Sequence, residues 1–204
     1  MDGLFDTPLR PLHRPSALWS RRLHRRHRQL VRPTDRLFWA VLPDAETAER
    51  IADRARRLRL GLGLTGKPLR TEHFHVTLCH VGDAVGAPPP EVVELMTERA
   101  ASLVMPSFRV AFDRVTSFRN GAFLLSGDES VIGLEVLQQR LSDALDARPQ
   151  RARPFTPHLT LLRDSHQIVE QFIEPISWTV KEVVLVHSLL GRTTHRHLAR
   201  LPLA

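Results

Sequence analysis

The chain has 204 residues, of which 42% are hydrophobic and 25% charged, which suits one globular domain or two closely packed lobes. Its single cysteine, Cys79, excludes an internal disulfide framework and a cysteine-rich zinc site, and favours a reducing compartment, the cytoplasm. No apolar run reaches the roughly 18 residues of a membrane span, and the N-terminus lacks the long apolar stretch of a secretory signal, so we expect no membrane association.

The first 34 residues are rich in Arg, Pro and His and show no sustained hydrophobic period. They predict a basic, mostly disordered N-terminal extension (1–34) ahead of a folded body at 35–204. Eight arginines against three aspartates in residues 1–35 supply most of the net charge of +7, so the body is nearly neutral. Such an extension can attract nucleic acid through phosphate contacts or can simply be solvated, and the sequence leaves both readings open.

The folded body begins with an apolar run at 36–42 that predicts a strand, which Pro43 ends. Asp44 then predicts the N-cap of an amphipathic helix of about 16 residues, followed by a glycine-rich linker. A strand at 73–81 and a second helix from Glu91 to about residue 104 complete this half of the chain.

In the second half, alternating apolar residues at 108–112 predict a strand, and Asn120-Gly121 predicts the turn of a hairpin. Leucines spaced three and four residues apart predict an amphipathic helix at 130–147. The remaining predicted elements are a strand at 155–163, a short helix, and strands at 176–180 and 183–189. This order favours an α+β fold with mainly antiparallel sheets.

The same short pattern occurs twice, as His75-Val76-Thr77-Leu78 and His158-Leu159-Thr160-Leu161, once in each half of the chain. Because side chains alternate along a strand, each copy presents its histidine and its threonine on one face. Imidazoles exchange protons near neutral pH, and cleavage at phosphorus needs one group to take a proton and another to give one. Two such strands therefore predict two lobes of similar architecture that face each other across a cleft, and a reaction that needs no metal or other cofactor.

Three further side chains belong to this predicted site. The hydroxyls of Thr77 and Thr160 can hydrogen-bond the non-bridging oxygens of a phosphate, and Arg163 can add a guanidinium to them. Strict alternation turns Arg163 away from His158, so its participation requires the strand to end or bulge near Leu162. Alternation also places Cys79 on the face of His75 and Thr77, as a small residue beside the site.

These residues resemble the 2H phosphoesterase superfamily, and within it the bacterial group of 2′-5′ RNA ligases or RNA 2′,3′-cyclic phosphodiesterases (LigT/ThpR-like), over about residues 35–204. The second motif region, 155–163, carries the closest resemblance. The resemblance implies two pseudo-symmetric lobes, each a mainly antiparallel sheet with outer helices, around a central cleft. It implies metal-independent opening of a 2′,3′-cyclic phosphate to a 2′-phosphate end, and a reverse reaction that joins RNA ends 2′-5′. It also implies that His75 and His158 are catalytic and that Thr77, Thr160 and Arg163 bind phosphate.

The resemblance leaves several points open. The expected ligands are RNA ends or small nucleotides with a cyclic phosphate, bound by a monomer, and we favour His75 as the acid and His158 as the base. His195 stands where relatives often carry Tyr. His80 stands where they often carry an aromatic residue; alternation places it opposite His75, either stacking on a base or as an edge polar residue. The alternative function is a non-catalytic module that binds nucleotides or RNA in the same cleft.

Overall fold

Residues 32–146 and 154–204 are described by a computed structural model of the chain, so the extension predicted at 1–34 lies almost wholly outside the described residues. The described residues form three α-helices and eight β-strands. The helices are α1 (Ala45–Gly61), α2 (Pro90–Ala100) and α3 (Ile132–Ala144). The strands are β1 (Asp35–Val41), β2 (Val76–Ala84), β3 (Phe108–Ser117), β4 (Ala122–Ser126), β5 (Leu159–Arg163), β6 (Gln171–Val180), β7 (Glu182–Leu189) and β8 (Thr194–Pro202).

The strands form two four-stranded antiparallel sheets, which confirms the predicted α+β fold. The first sheet has the order β2-β1-β7-β8 and the second has the order β5-β4-β3-β6. The strands that follow the two motif histidines, β2 and β5, are therefore edge strands of different sheets. Each of these strands follows a helix in the chain and pairs with the strand that precedes that helix. The units β1-α1-β2 and β4-α3-β5 therefore have the same connectivity.

The capping and turn residues form the local structures that the sequence predicts. Asp44 precedes α1, and its Oδ1 accepts a hydrogen bond of 2.8 Å from the backbone N–H of Thr47, which satisfies a free donor of the first turn. Asn120 and Gly121 connect β3 to β4, with Gly121 at a φ of 82°, a conformation that glycine adopts at little cost.

The prediction of a short helix after β5 is wrong, because residues 164–170 form an irregular connection to β6. The side chain of Asp164 accepts a hydrogen bond of 2.8 Å from the backbone N–H of His166. A short polar side chain that bonds the backbone two residues later stabilises a turn at the expense of a helix.

One connected hydrophobic core includes residues of both sheets. Although α1 joins β1 to β2 in the chain, it packs on β5 and β6 of the second sheet, and α3 packs on β2 of the first as well as on β3. The two lobes are therefore joined by their helices. No helix in the described ranges is long and apolar enough to cross a membrane.

Candidate active site

His75 and His158 have the same local geometry. Each lies directly before its strand, β2 or β5, rather than within it as predicted. In each ring Nδ1 lies 2.7 Å from the carbonyl oxygen two residues earlier, that of His73 or of Thr156. Because a carbonyl oxygen can only accept, Nδ1 carries a proton and donates it. Each ring is thus left with Nε2 for contact with a ligand.

The edge strands that follow the two histidines, β2 and β5, contact each other. The backbone N–H of Leu69, on the segment that leads to His75, donates a hydrogen bond of 2.8 Å to the carbonyl of Leu161 on β5. Burial lowers the pKa of His75, and repulsion from the charges of His158 and His73 lowers it further. The imidazole of His158 is therefore close enough to that of His75 to disfavour its charged form.

A β-bulge follows each motif threonine. On β2, Thr77 pairs with Ala40, and the register then shifts by one residue before Cys79. On β5, Thr160 pairs with Leu124, and the register shifts in the same way before Leu162. The two motif strands therefore share an irregularity at the same position as well as a sequence pattern.

In the second motif this bulge determines where Arg163 lies. Residues that pair directly across an antiparallel ladder share a face of the sheet. Arg163 pairs with Ala122, which lies on the same face of β4 as Leu124, the partner of Thr160. The bulge therefore returns the exposed Arg163 to the face of Thr160, where strict alternation would have turned it away.

In the first motif the bulge overturns two predictions from alternation. Cys79 pairs with Trp39 on the buried face, and its Sγ lies 3.2 Å from Oγ of Ser142 on α3, so it is not beside His75. Burial raises the pKa of this thiol. His80 pairs with Phe38 and lies on the face of Thr77, not on the opposite face.

Aromatic rings surround His75. The ring centroid of Phe38 lies 5.1 Å from that of His75, and His195 on β8 packs edge-on against His75 at 5.3 Å. His195 also packs edge-on against His73 at 4.7 Å. Burial lowers the pKa of His195 to about 4, with smaller contributions from the charges of His75, His73 and His197. His195 is therefore a neutral ring beside His75 at physiological pH.

His158 packs against Phe118, whose ring meets it edge-on at 4.9 Å. Sequence reasoning missed both phenylalanine neighbours, Phe118 and Phe38, because each comes from a segment distant in the chain. A weak signal existed for Phe118, which lies just before the Asn120-Gly121 turn and so at the end of the central strands of the second sheet.

The segment after α1 packs against the end of β5. Asp164 accepts hydrogen bonds of 2.7 Å from the backbone N–H groups of Thr65 and Gly66. Hydrogen bonds from the backbone of His166, Gly66 and Thr65 lower the pKa of Asp164 to about 2. A Cβ atom on Gly66 would lie 2.0 Å from the carbonyl oxygen of Arg163. The glycine-rich segment predicted as a linker therefore packs its backbone closely against the backbone of Arg163.

His187 belongs to a buried pair away from this site. Its Nε2 lies 2.6 Å from Oδ1 of Asp35. Burial by itself would raise the pKa of Asp35, but hydrogen bonds from Thr34, His187 and Gly86 lower it below its ordinary value. In residues 32–146 and 154–204, no three His, Cys, Asp or Glu side chains are arranged to hold a metal ion.

Among the described residues, Nε2 of neither His75 nor His158 has a hydrogen-bond partner. Two such imidazoles, two hydroxyls and a guanidinium, supplied by two sheets, can exchange protons with a phosphate ester and bind its oxygens. Two antiparallel sheets with a His-x-Thr motif at the edge of each define the class of two-histidine (2H) phosphoesterases.

Comparison with known proteins identifies the family. The family model of the 2′-5′ RNA ligase superfamily matches residues 43–192, and the chain belongs to this family. A curated relative, the RNA 2′,3′-cyclic phosphodiesterase of Escherichia coli (strain K12), is 30% identical over 173 residues, which are 81% of this chain and 94% of the relative.

Solved structures of E. coli LigT have the same fold. The apo form has a TM-score of 0.67 at 28% identity, covering 85% of this chain and 99% of LigT. The complex with 3′-AMP has a TM-score of 0.65 at 27% identity, with the same coverage.

Proposed function

We propose that the protein is an RNA 2′,3′-cyclic phosphodiesterase that opens the cyclic phosphate to a 2′-phosphate end without a metal ion. The observation that carries this proposal is the matched pair of imidazoles at the contacting edges of two sheets, each with Nδ1 bonded to a carbonyl and with no partner for Nε2 among the described residues. The name of the E. coli relative and the complex of LigT with 3′-AMP support a nucleotide with a 2′ or 3′ phosphate as the ligand.

In the proposed reaction, Nε2 of one histidine accepts a proton from water as the water oxygen attacks phosphorus. Nε2 of the other donates a proton to the 3′ oxygen as the bond from phosphorus to that oxygen breaks. Thr77, Thr160 and Arg163 bind the non-bridging oxygens, which carry the negative charge of the transition state. With a 5′-hydroxyl in place of water, the same transfer joins two RNA ends 2′-5′.

The pKa of His75 supports one assignment of these roles. Its pKa lies below the ordinary value of 6.5, so the ring is neutral at pH 7 and ready to accept a proton. We therefore assign His75 as the base and His158 as the acid, which reverses the order that we favoured from the sequence.

The test is hydrolysis of a short RNA with a 2′,3′-cyclic phosphate end by the full chain in EDTA. The expected product carries a 2′-phosphate, identified by ³¹P NMR. His75→Ala and His158→Ala should each reduce kcat about 10²–10⁴-fold, the usual contribution of a general acid or base. His166→Ala, at an exposed histidine in the connection between β5 and β6, is the matched control and should keep full activity.

Full activity in the double variant, with circular dichroism unchanged, would refute the proposal. Binding of the RNA with no product from the wild-type chain would instead support the alternative, a non-catalytic nucleotide- or RNA-binding module.

A further inference from the structure

The similarity between the two motif strands extends beyond the threonines. His80 follows His75 by five residues, and Arg163 follows His158 by five residues. In both strands the bulge after the threonine produces two consecutive buried residues and then this exposed one. His80 is therefore the counterpart, in the first sheet, of Arg163 in the second.

His80 lies one step along the same face from Thr77. Thr77 pairs with Ala40 and His80 pairs with Phe38, and these partners are two residues apart on β1. Two residues of an antiparallel strand span roughly 7 Å. A ligand whose reacting phosphate contacts Thr77 can therefore place a second group, roughly 7 Å from that phosphate, against His80.

A carboxylate holds the ring of His80. Nε2 lies 2.9 Å from Oδ1 of Asp83, and Arg36 donates to both oxygens of Asp83 at 2.7 and 2.8 Å. The hydrogen bonds from Arg36 are the main cause that lowers the pKa of Asp83 to about 2, so the carboxylate is ionised and accepts from Nε2. Nδ1 is left for a ligand, and 52% of the side chain is exposed.

We propose that His80, held by Asp83 and Arg36, is a positioning residue that binds the 5′-phosphate of the nucleotide whose cyclic phosphate is opened. This inference rests on the proposed function. A cyclic phosphate ends the RNA chain, so the chain can continue from the terminal nucleotide only through its 5′-phosphate. The proposed contact uses the imidazolium form of His80, in which Nε2–H donates to Asp83 and Nδ1–H donates to the phosphate, with the guanidinium of Arg36 beside it. His80 then distinguishes an RNA end from a free cyclic nucleoside phosphate.

Two substrates that differ in one group test this subsite: adenosine 2′,3′-cyclic phosphate and the same compound with a 5′-phosphate. We expect the wild-type chain to prefer the 5′-phosphorylated substrate about tenfold in kcat/KM, through KM, which corresponds to one charge-assisted hydrogen bond. The preference should weaken as salt is raised. His80→Ala should remove it and leave kcat/KM for the unphosphorylated substrate within about twofold, since only the 5′-phosphate contact is lost.

Two more variants separate phosphate binding from other roles. His80→Arg, which introduces the residue of the second motif, should restore the preference lost in His80→Ala because arginine supplies a cation. His80→Phe should not restore it. Restoration by Phe would indicate packing or base stacking and would overturn the proposal, as would equal losses on both substrates or no loss on either. His166→Ala is again the control.

A binding measurement separates failure of this inference from failure of the proposed function. If the wild-type chain turns over neither substrate, calorimetry with adenosine 2′-phosphate and adenosine 2′,5′-bisphosphate still tests the subsite. A preference for the bisphosphate that His80→Ala abolishes supports it, and equal affinities in the wild-type chain overturn it.

Discussion

The main chain, rather than a carboxylate, fixes the tautomer of both motif histidines. Each Nδ1–H donates to a carbonyl oxygen two residues upstream, so no second titratable group has to be ionised for the ring to present Nε2. The spacing of histidine and threonine could be interpreted from sequence alone, because it depends on residues within one strand. The tautomer could not, because it depends on how the chain turns into that strand.

The titration of His75 tests this description of the site. Its pKa should lie below 6.5, because burial and the nearby charges of His158 and His73 disfavour the imidazolium. In His158→Ala the pKa of His75 should rise towards 6.5, because one source of repulsion is removed and the site opens to water. NMR titration of the ring Cε1–H signals measures both values, with His166→Ala as the control.

A base with a lowered pKa also determines the pH profile. If His75 is the base, the acid limb of kcat/KM lies below pH 6.5, because activity is lost only when His75 becomes protonated. An unchanged His75 pKa in His158→Ala, or an acid limb at or above pH 6.5, would contradict the assignment.

At the scale of the strand, the limit of sequence-based prediction is the β-bulge. Alternation predicts a common face for the histidine and the threonine of each motif because nothing intervenes between them. Beyond the threonine it assigned the wrong face to Cys79 and His80, and it left Arg163 dependent on a bulge near Leu162. A bulge is set by pairing with another strand, here β1 or β4, and that pairing is not visible in the motif itself.

Gly66 tests how the segment after α1 supports the end of β5. In Gly66→Ala the new Cβ would meet the carbonyl oxygen of Arg163, and that oxygen belongs to the backbone and cannot rotate away. We expect the free energy of unfolding to fall by about 1–3 kcal/mol, as for other overpacked sites. KM for a cyclic phosphate substrate should rise, because Arg163 is displaced. Urea denaturation and steady-state kinetics measure the two effects.

Gly61→Ala is the matched control for this substitution. Gly61 is the last residue of α1, and a Cβ there meets no atom within 4 Å. Alanine is favoured over glycine in a helix, so this variant should be as stable as the wild-type chain or slightly more stable. Equal stabilities of the Gly66 and Gly61 variants would show that the contact with Arg163 has no structural role.

At the scale of the molecule, the two sheets and the α+β class follow from element order and hairpin signals. The sheet on which each helix packs does not, because an amphipathic stripe predicts that a helix buries a face without identifying its partner. Here α1 covers β5 and β6, and α3 contacts β2, so each connecting helix packs on the sheet of the other lobe. This exchange joins the two lobes through one core.

A shared core predicts that the two lobes unfold together. Trp39 is buried in the first sheet and Trp178 in the second, so each reports on its own lobe. One variant, Trp19→Phe with Trp178→Phe, retains Trp39, and another, Trp19→Phe with Trp39→Phe, retains Trp178. In each variant the urea transition followed by tryptophan fluorescence should coincide with that followed by far-UV circular dichroism, as for a two-state domain.

Comparison within one variant removes the effect of the substitutions on overall stability. A fluorescence midpoint that departs from the circular dichroism midpoint in either variant would show that the lobes unfold separately, and that the exchanged helices do not couple the two histidine sites.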